Sequence, residues 1–246
     1  MGLRLLGAGR TADVFAIDEE WVLRRMRNGA DARSESALMS YVEESGFPVP
    51  RQKPFDENAR REDMVLERLR GPTLASAVLS GEFDARAAGA LLVEMLDRLH
   101  AIPSPGPGES DLTVVHLDLH PENIIMTSRG PVVIDWTNAR IGRPGVDRAM
   151  SALILSQVAL TMPRPEQVVV QAVLAAFCEG LSRSGGISAA DLDSALAQRR
   201  ADPSLTAAEH DALDAAAAGI SPLAVSARRC GHEADTRDRT DEELRG

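Results

Sequence analysis

Lysine is nearly missing from this chain. Of its 27 basic residues, Lys53 alone is a lysine and the other 26 are arginine. A phosphate loop of the G-x-x-x-x-G-K-[ST] kind carries its lysine directly after glycine, whereas Lys53 stands between Gln52 and Pro54. A Schiff-base lysine would have to be the same residue, without supporting neighbours. Any grip on phosphate therefore falls to arginine. Cysteine is almost as scarce. Cys178 and Cys230 make neither a disulfide framework nor a metal cluster, so the expected compartment is a reducing cytoplasm. Long apolar runs are lacking too. The longest, Ala149 to Met162, is interrupted by Ser151, Ser156, Gln157 and Thr161 and is too short and polar to span a bilayer. The opening MGLRLLGAGR has no long apolar core of a signal peptide. With a net charge of -10 and a pI near 5.0, the chain also lacks the basic excess of a dedicated nucleic-acid binder.

What remains is an ordinary globular composition. The 246 residues are 44% hydrophobic with a mean hydropathy of -0.14, enough for one large domain or two small ones with a real core. The first 70 residues read as strands around one helix. Leu3 to Leu6, Val14 to Ile17, Trp21 to Arg27 and Met64 to Leu69 are strand candidates, with a turn at Asp18-Glu19-Glu20. Asp31 to Ser45 reads as a helix stopped by Gly46 and Pro48. After Gly71-Pro72 the pattern becomes helical. Ala85 to Ile102 is strongly amphipathic, with Ala88, Leu91, Leu92, Met95, Leu99 and Ile102 at helical spacing. A Pro/Gly loop, Pro103 to Gly108, leads to two short β runs, Ile124-Ile125-Met126 and Val132-Val133-Ile134. Residues 146 to about 228 read as helices divided by Pro163/Pro165, Gly185-Gly186 and Pro203, and 229–246 as a charged tail. The expected architecture is α+β: a strand-rich lobe over 1–70, a hinge about 67–71 and a larger helical lobe over 72–228.

The chemistry concentrates in His116-Leu117-Asp118-Leu119-His120-Pro121-Glu122-Asn123 and in Asp135, twelve residues further on. The β runs flank the turn Thr127-Ser128-Arg129-Gly130, which sets Asn123 and Asp135 opposite each other at the hairpin's open end. An amide oxygen beside a carboxylate suits Mg²⁺, which retains waters and substrate phosphates. Asp118, five residues before Asn123, can orient a hydroxyl and accept its proton.

This H-x-D-x-x-x-x-N plus D pattern resembles the catalytic and metal-binding loops of the protein-kinase-like superfamily. The string HLDLHPENII is most similar to the aminoglycoside phosphotransferase family. The resemblance implies a two-lobe protein-kinase-like fold, Asp118 as catalytic base, Asn123 and Asp135 as Mg²⁺ ligands, and His116 as a residue that orients the loop. Asp147 matches the family's later structural aspartate, which braces that loop. Family members commonly carry glycine where this chain has Leu117. In the amino-terminal lobe, Leu6-Gly7-Ala8-Gly9-Arg10 through Phe15 resembles a kinase glycine-rich loop, with Gly7 and Gly9 letting backbone N–H groups approach phosphates. Kinases place a lysine on the third strand, paired with a helix glutamate. Alternation along Trp21-Val22-Leu23-Arg24-Arg25 puts Val22 and Arg24 on one face, so Arg24 resembles the lysine's replacement, or Arg25 if the register slips by one. Glu35 lies with Leu38, Met39 and Val42 on the apolar stripe of the helix, and a buried carboxylate needs a partner; Arg24 is the candidate. Val14 and Val22 would face the nucleotide, and Glu67 to Leu69 would be the hinge that meets adenine.

The expected activity is therefore ATP- and Mg²⁺-dependent transfer of the γ-phosphate to a hydroxyl of a small molecule. Only about ten residues separate Asp135 from the helix near Val146, too few for the segment on which protein kinases dock peptides. An aminoglycoside-like acceptor is the first expectation. Glu179, Asp191, Asp193, Glu209, Asp211 and Asp214 are available for a polycation, although most of them also read as solvated helix faces. A choline-type acceptor would need aromatic faces, and Trp136, Phe177 and Phe83 are the few on offer. Other small-metabolite alcohols, a nucleotide-binding module without turnover, and nucleotidyl transfer are the alternatives.

Overall fold

The computed structural model describes residues 3–27, 29–55, 60–106 and 111–224. Cys230 and the charged tail 229–246 lie outside the described residues. The amino-terminal sheet has four antiparallel strands in sequence order: β1 (Arg4–Ala8), β2 (Ala12–Ala16), β3 (Trp21–Met26) and β4 (Asp63–Glu67). β1 is fully exposed, whereas β3, with neighbours on both sides, buries Val22, Leu23, Arg24 and Met26. Across β3, Val14 pairs with Arg24 and Arg24 with Met64. Helix α1 (Arg33–Glu44) crosses between β3 and β4 in the chain and contributes Met39 and Val42 to the core.

β4 ends at Glu67, where the Arg68 N–H turns back to the Glu20 carbonyl. The chain then runs past Gly71 against the hairpin formed by β6 (Ile124–Thr127) and β7 (Gly130–Val133). Gly71 has φ +146°, and a Cβ there would lie 1.9 Å from the Met126 carbonyl oxygen. Glycine is the residue this close crossing admits. Helix α2 (Leu74–Leu79) starts at once, its Thr73 side chain accepting the Ser76 N–H. No apolar periodicity in so short a helix announces it in the sequence.

The helical part is built on α3 (Ala85–His100), α4 (Pro144–Thr161), α5 (Glu166–Arg183), α6 (Ala189–Arg200), α7 (Ala207–Asp211) and α8 (Leu213–Ala224). Asp84 caps α3 by accepting the Ala87 N–H, and Leu92, Met95, Leu96 and Leu99 are completely buried. Glycine sets how closely α3 and α5 approach: a Cβ at Gly89 would come within 2.6 Å of the Val173 carbonyl oxygen. α4 is buried along most of its length, with Pro144 in its first turn, where a missing N–H costs nothing. A two-stranded sheet, β5 (Thr113–Val115) with β8 (Arg140–Gly142), also escaped the sequence reading. Each strand has three residues, too few to show an alternation. No described helix is long and apolar enough to cross a membrane.

Candidate active site

The segment after β5 carries the motif. Leu117 adopts φ +60°, a left-handed bend that β-carbon sterics disfavour. What holds it is Asp147, on the first turn of α4. Its two carboxylate oxygens accept the backbone N–H groups of His116 (2.9 Å) and Leu117 (2.7 Å), and His100 Nε2 lies 2.9 Å from one of them. Complete burial pushes the Asp147 carboxyl up, but the hydrogen bond and charge of His100 and the His116 N–H outweigh it, holding it below the usual carboxylate range. The His116 ring ties the same bend to the second half of the motif. Its Nε2 is 3.1 Å from the Ile134 carbonyl and its Nδ1 accepts the Asp118 N–H at 3.3 Å.

Asn123 and Asp135 flank the β6–β7 hairpin, joined through the Ile134 N–H donating to the Asn123 carbonyl at 2.9 Å. The Asn123 amide nitrogen donates to the Asp118 carbonyl (2.9 Å) and carboxylate (3.1 Å), which leaves its side-chain oxygen as the free donor atom for a cation. Asp135 also takes a left-handed backbone, φ +60°. Among the described residues no group of three or more His, Cys, Asp or Glu could hold a metal. The set is one amide and one carboxylate, both hard oxygen donors. This suits magnesium bound chiefly through phosphates and water rather than a protein cage.

Arg24 connects the sheet to this loop. Its side chain is only 9% exposed; Nη1 donates to both Glu35 oxygens (2.7 and 2.8 Å) and Nη2 to Asp135 Oδ1 (2.8 Å) and Thr137 Oγ1 (2.6 Å). Burial raises the Glu35 carboxyl despite that partner, with the Asp135 charge adding to the rise. Arg25 points to the opposite face and makes a two-pronged contact with Asp63 at the sheet's edge. Glu67 is held by Arg129 at 2.6 Å, and Gly9 closes the β1–β2 turn by donating its N–H to Ala12. Lys53 is exposed and sits 4.4 Å over the Trp21 ring.

Asp118, Asn123 and Asp135 converge on a cavity of about 380 Å³, also lined by Arg10 and Thr11 of the β1–β2 turn. Gly7, Gly9, Val14, Val22, Arg24, Glu35, Glu67 and Leu69 lie outside its lining, on the sheet, its β1–β2 turn, helix α1 and the hinge. Burial pushes the Asp118 carboxyl up to about 6, Asp135 adding to the rise while His116, Arg199 and Asn123 oppose it. Burial likewise lowers His120 to about 4, so this ring beside Asp118 is neutral.

The acceptor expectations fare differently. Of the six carboxylates offered for a polycation, Glu209 alone lines the cavity. Asp191 pairs with Arg143, Asp214 with Arg200, and Glu179 with Arg86 and Arg183. Trp136 and Phe177 are 1% and 0% exposed in the core, which rules them out as an aromatic cage. Instead the sequence reading missed Arg199, whose Nη1 comes within 4.0 Å of Asp118 Oδ1 from the end of α6, and Thr137, which bridges Arg24 and Asp135. No spacing in the sequence links position 199 to position 118; Thr137, two residues past Asp135, was within reach of the motif.

Fold and loop together define a class, the protein-kinase-like phosphotransferases. Comparison with known families places the chain more closely. The model of the phosphotransferase enzyme family matches residues 2–111 and 105–187, and the chain belongs to that family. It is an enzyme of the small-molecule kinase kind. Solved structures share the fold at low identity. An aminoglycoside-3'-phosphotransferase of type VIII has a TM-score of 0.55 at 16% identity over 78% of this chain and 91% of its own. An amicoumacin kinase in complex with AMP-PNP, Ca²⁺ and its ligand Ami has 0.51 at 14%, over 89% and 88%. A streptomycin–ATP–APH(2")-IIa ternary complex has 0.51 at 13%, over 79% and 81%. No curated protein sequence matches the chain.

Proposed function

We propose that this chain transfers the γ-phosphate of Mg-ATP to a hydroxyl of a small molecule, with Asp118 as catalytic base and Asn123 and Asp135 as the metal's protein ligands. The observation that carries this reading is the convergence of those three residues on one cavity, with Arg24 bridging Glu35 to Asp135 at its sheet side. Similarity to structures bound to AMP-PNP with Ca²⁺, and to ATP, supports a nucleotide with a divalent metal as the co-substrate. Residues 1–70 are read as the nucleotide lobe and 72–228 as the lobe that receives the acceptor.

ATP would supply the phosphoryl group, its γ-phosphorus gaining the acceptor oxygen as the bond to the bridging oxygen of ADP breaks, and Mg²⁺ held by Asn123 and Asp135 would neutralise phosphate charge. The chain's own contribution is positioning and charge. Asp118 orients the acceptor hydroxyl and takes its proton; with its carboxyl at about 6 it is mostly ionised at neutral pH yet basic enough to accept. Asn123 holds Asp118 in place through its amide while presenting its oxygen to the metal. Arg24 releases or shares Asp135 as its fork meets phosphate, a task for which a planar guanidinium is well shaped.

A module without turnover is the second reading, favoured by Arg24 already occupying Asp135 Oδ1. Release of ADP from Mg-ATP, measured across hydroxylated acceptors together with product mass, separates the readings. An added phosphate supports the first, an added nucleotide points to nucleotidyl transfer, and no product supports the second. Asp118→Asn is expected to lower kcat by about 100-fold or more while Mg-ADP still binds; unchanged turnover would remove Asp118 from the chemistry.

A further inference from the structure

Beyond Asp118 the cavity continues between α2, α4 and α5, where its wall is formed by Val78, Leu79, Ile154, Val158, Val170 and Val173. None of these wall residues is charged, and two of the carboxylates elsewhere in the lining, Glu209 and Asp202, are already paired with arginine. Glu209 accepts Arg10 Nη2 at 2.8 Å and both the N–H and hydroxyl of Thr206 at 2.8 Å, and despite some burial these contacts hold its carboxyl down to about 2. Asp202 faces Arg199 at 3.6 Å. Arg199 itself is 12% exposed, anchored by Nε to Gln157 Oε1 at 3.1 Å, and lies 4.0 Å from the catalytic carboxylate. An amine beside the receiving hydroxyl would therefore meet a fixed guanidinium, and any amine carried in against the wall between α2, α4 and α5 would be desolvated against valine and leucine without partners. An apolar body would be stabilised by the same wall.

Resting on the phosphotransferase reading above, we infer that the acceptor is an amphipathic alcohol. Its apolar body fills the pocket between α2, α4 and α5. Next to the phosphorylated hydroxyl it carries an uncharged or anionic oxygen that accepts from Arg199, and it carries no amine at that position. Polyamine sugars are not its substrates.

Titration calorimetry on the full chain with Mg-ADP present tests this with four probes: hexyl β-D-glucoside, methyl β-D-glucoside, hexyl 2-amino-2-deoxy-β-D-glucoside and kanamycin. Hexyl glucoside is expected to bind about tenfold or more tighter than the methyl glucoside and about tenfold tighter than its amino counterpart, with kanamycin weakest. Arg199→Gln is expected to shrink the penalty for the amine and keep the hexyl preference. Val158→Asp is expected to abolish the hexyl preference. Equal binding of the hexyl and methyl glucosides, tighter binding of kanamycin than of hexyl glucoside, or no binding of any probe would overturn the inference. Failure of the phosphotransferase reading has a separate signature, no stabilisation by Mg-ADP and no ADP release from Mg-ATP with any probe.

Discussion

Leu117 and Asp135 are the non-glycine residues with left-handed backbone among those described, and they bracket the candidate site. Such a conformation costs about 1 kcal/mol or more for a residue with a β-carbon. At Leu117 that cost is met by the two hydrogen bonds that the His116 and Leu117 N–H groups donate to Asp147, while the side chain is buried. We predict an inverted order of substitutions. Leu117→Gly should be more stable than Leu117→Ala by about 1 kcal/mol, measured by urea unfolding; the ordinary order, with alanine above glycine, would mean that the bend is not fixed in solution. The bend itself was not legible, because leucine gives no local sign of positive φ. Arg24 was legible in part, since the apolar stripe of α1 already named it as the partner of Glu35. Alternation along β3 placed it on the side of Val22, yet only the folded chain shows its fork reaching both Glu35 and Asp135.

At the level of elements, long amphipathic helices and the β6–β7 hairpin were readable because their apolar spacing extends over several turns or matches across a four-residue turn. α2, β5 and β8 were not, since three to six residues carry too little pattern and their formation depends on neighbours distant in sequence. Close approach between elements is likewise a property of pairs. Gly89 reads as an indifferent helix glycine, but it is the point at which α3 meets the backbone of α5. Replacing it with alanine puts a methyl group within 2.6 Å of the Val173 carbonyl oxygen and 2.7 Å of the Phe177 nitrogen. We expect a loss of about 1–3 kcal/mol from forced separation of the helices, even though alanine is the better helix former. A gain in thermal stability would show that the two helices can move apart without cost.

Across the whole molecule, Asp147 joins α3, the loop after β5 and α4 through three contacts on one carboxylate. Asp147→Asn keeps the size but turns one acceptor into a donor facing a donor, so about 3 kcal/mol of stability should be lost at neutral pH. The sign with pH follows from its depressed carboxyl. Its stabilisation is present above the unfolded carboxylate value, near 4, and fades as pH falls through the lower folded value. The gap between wild type and variant should therefore be constant from pH 7 to about 5 and close in acid. A gap that widens in acid would contradict this account. The near absence of lysine acquires its meaning at the same scale: the sheet's buried cation is an arginine, and it ties the amino-terminal sheet to Glu35 of α1 and to Asp135 and Thr137 after β7. That claim is tested most directly by titrating Mg-ADP into the wild type, Arg24→Gln and Arg25→Gln, each first shown to be folded. The account predicts affinity weakened by about tenfold or more in Arg24→Gln and unchanged within about twofold in Arg25→Gln; equal effects of the two substitutions would contradict it.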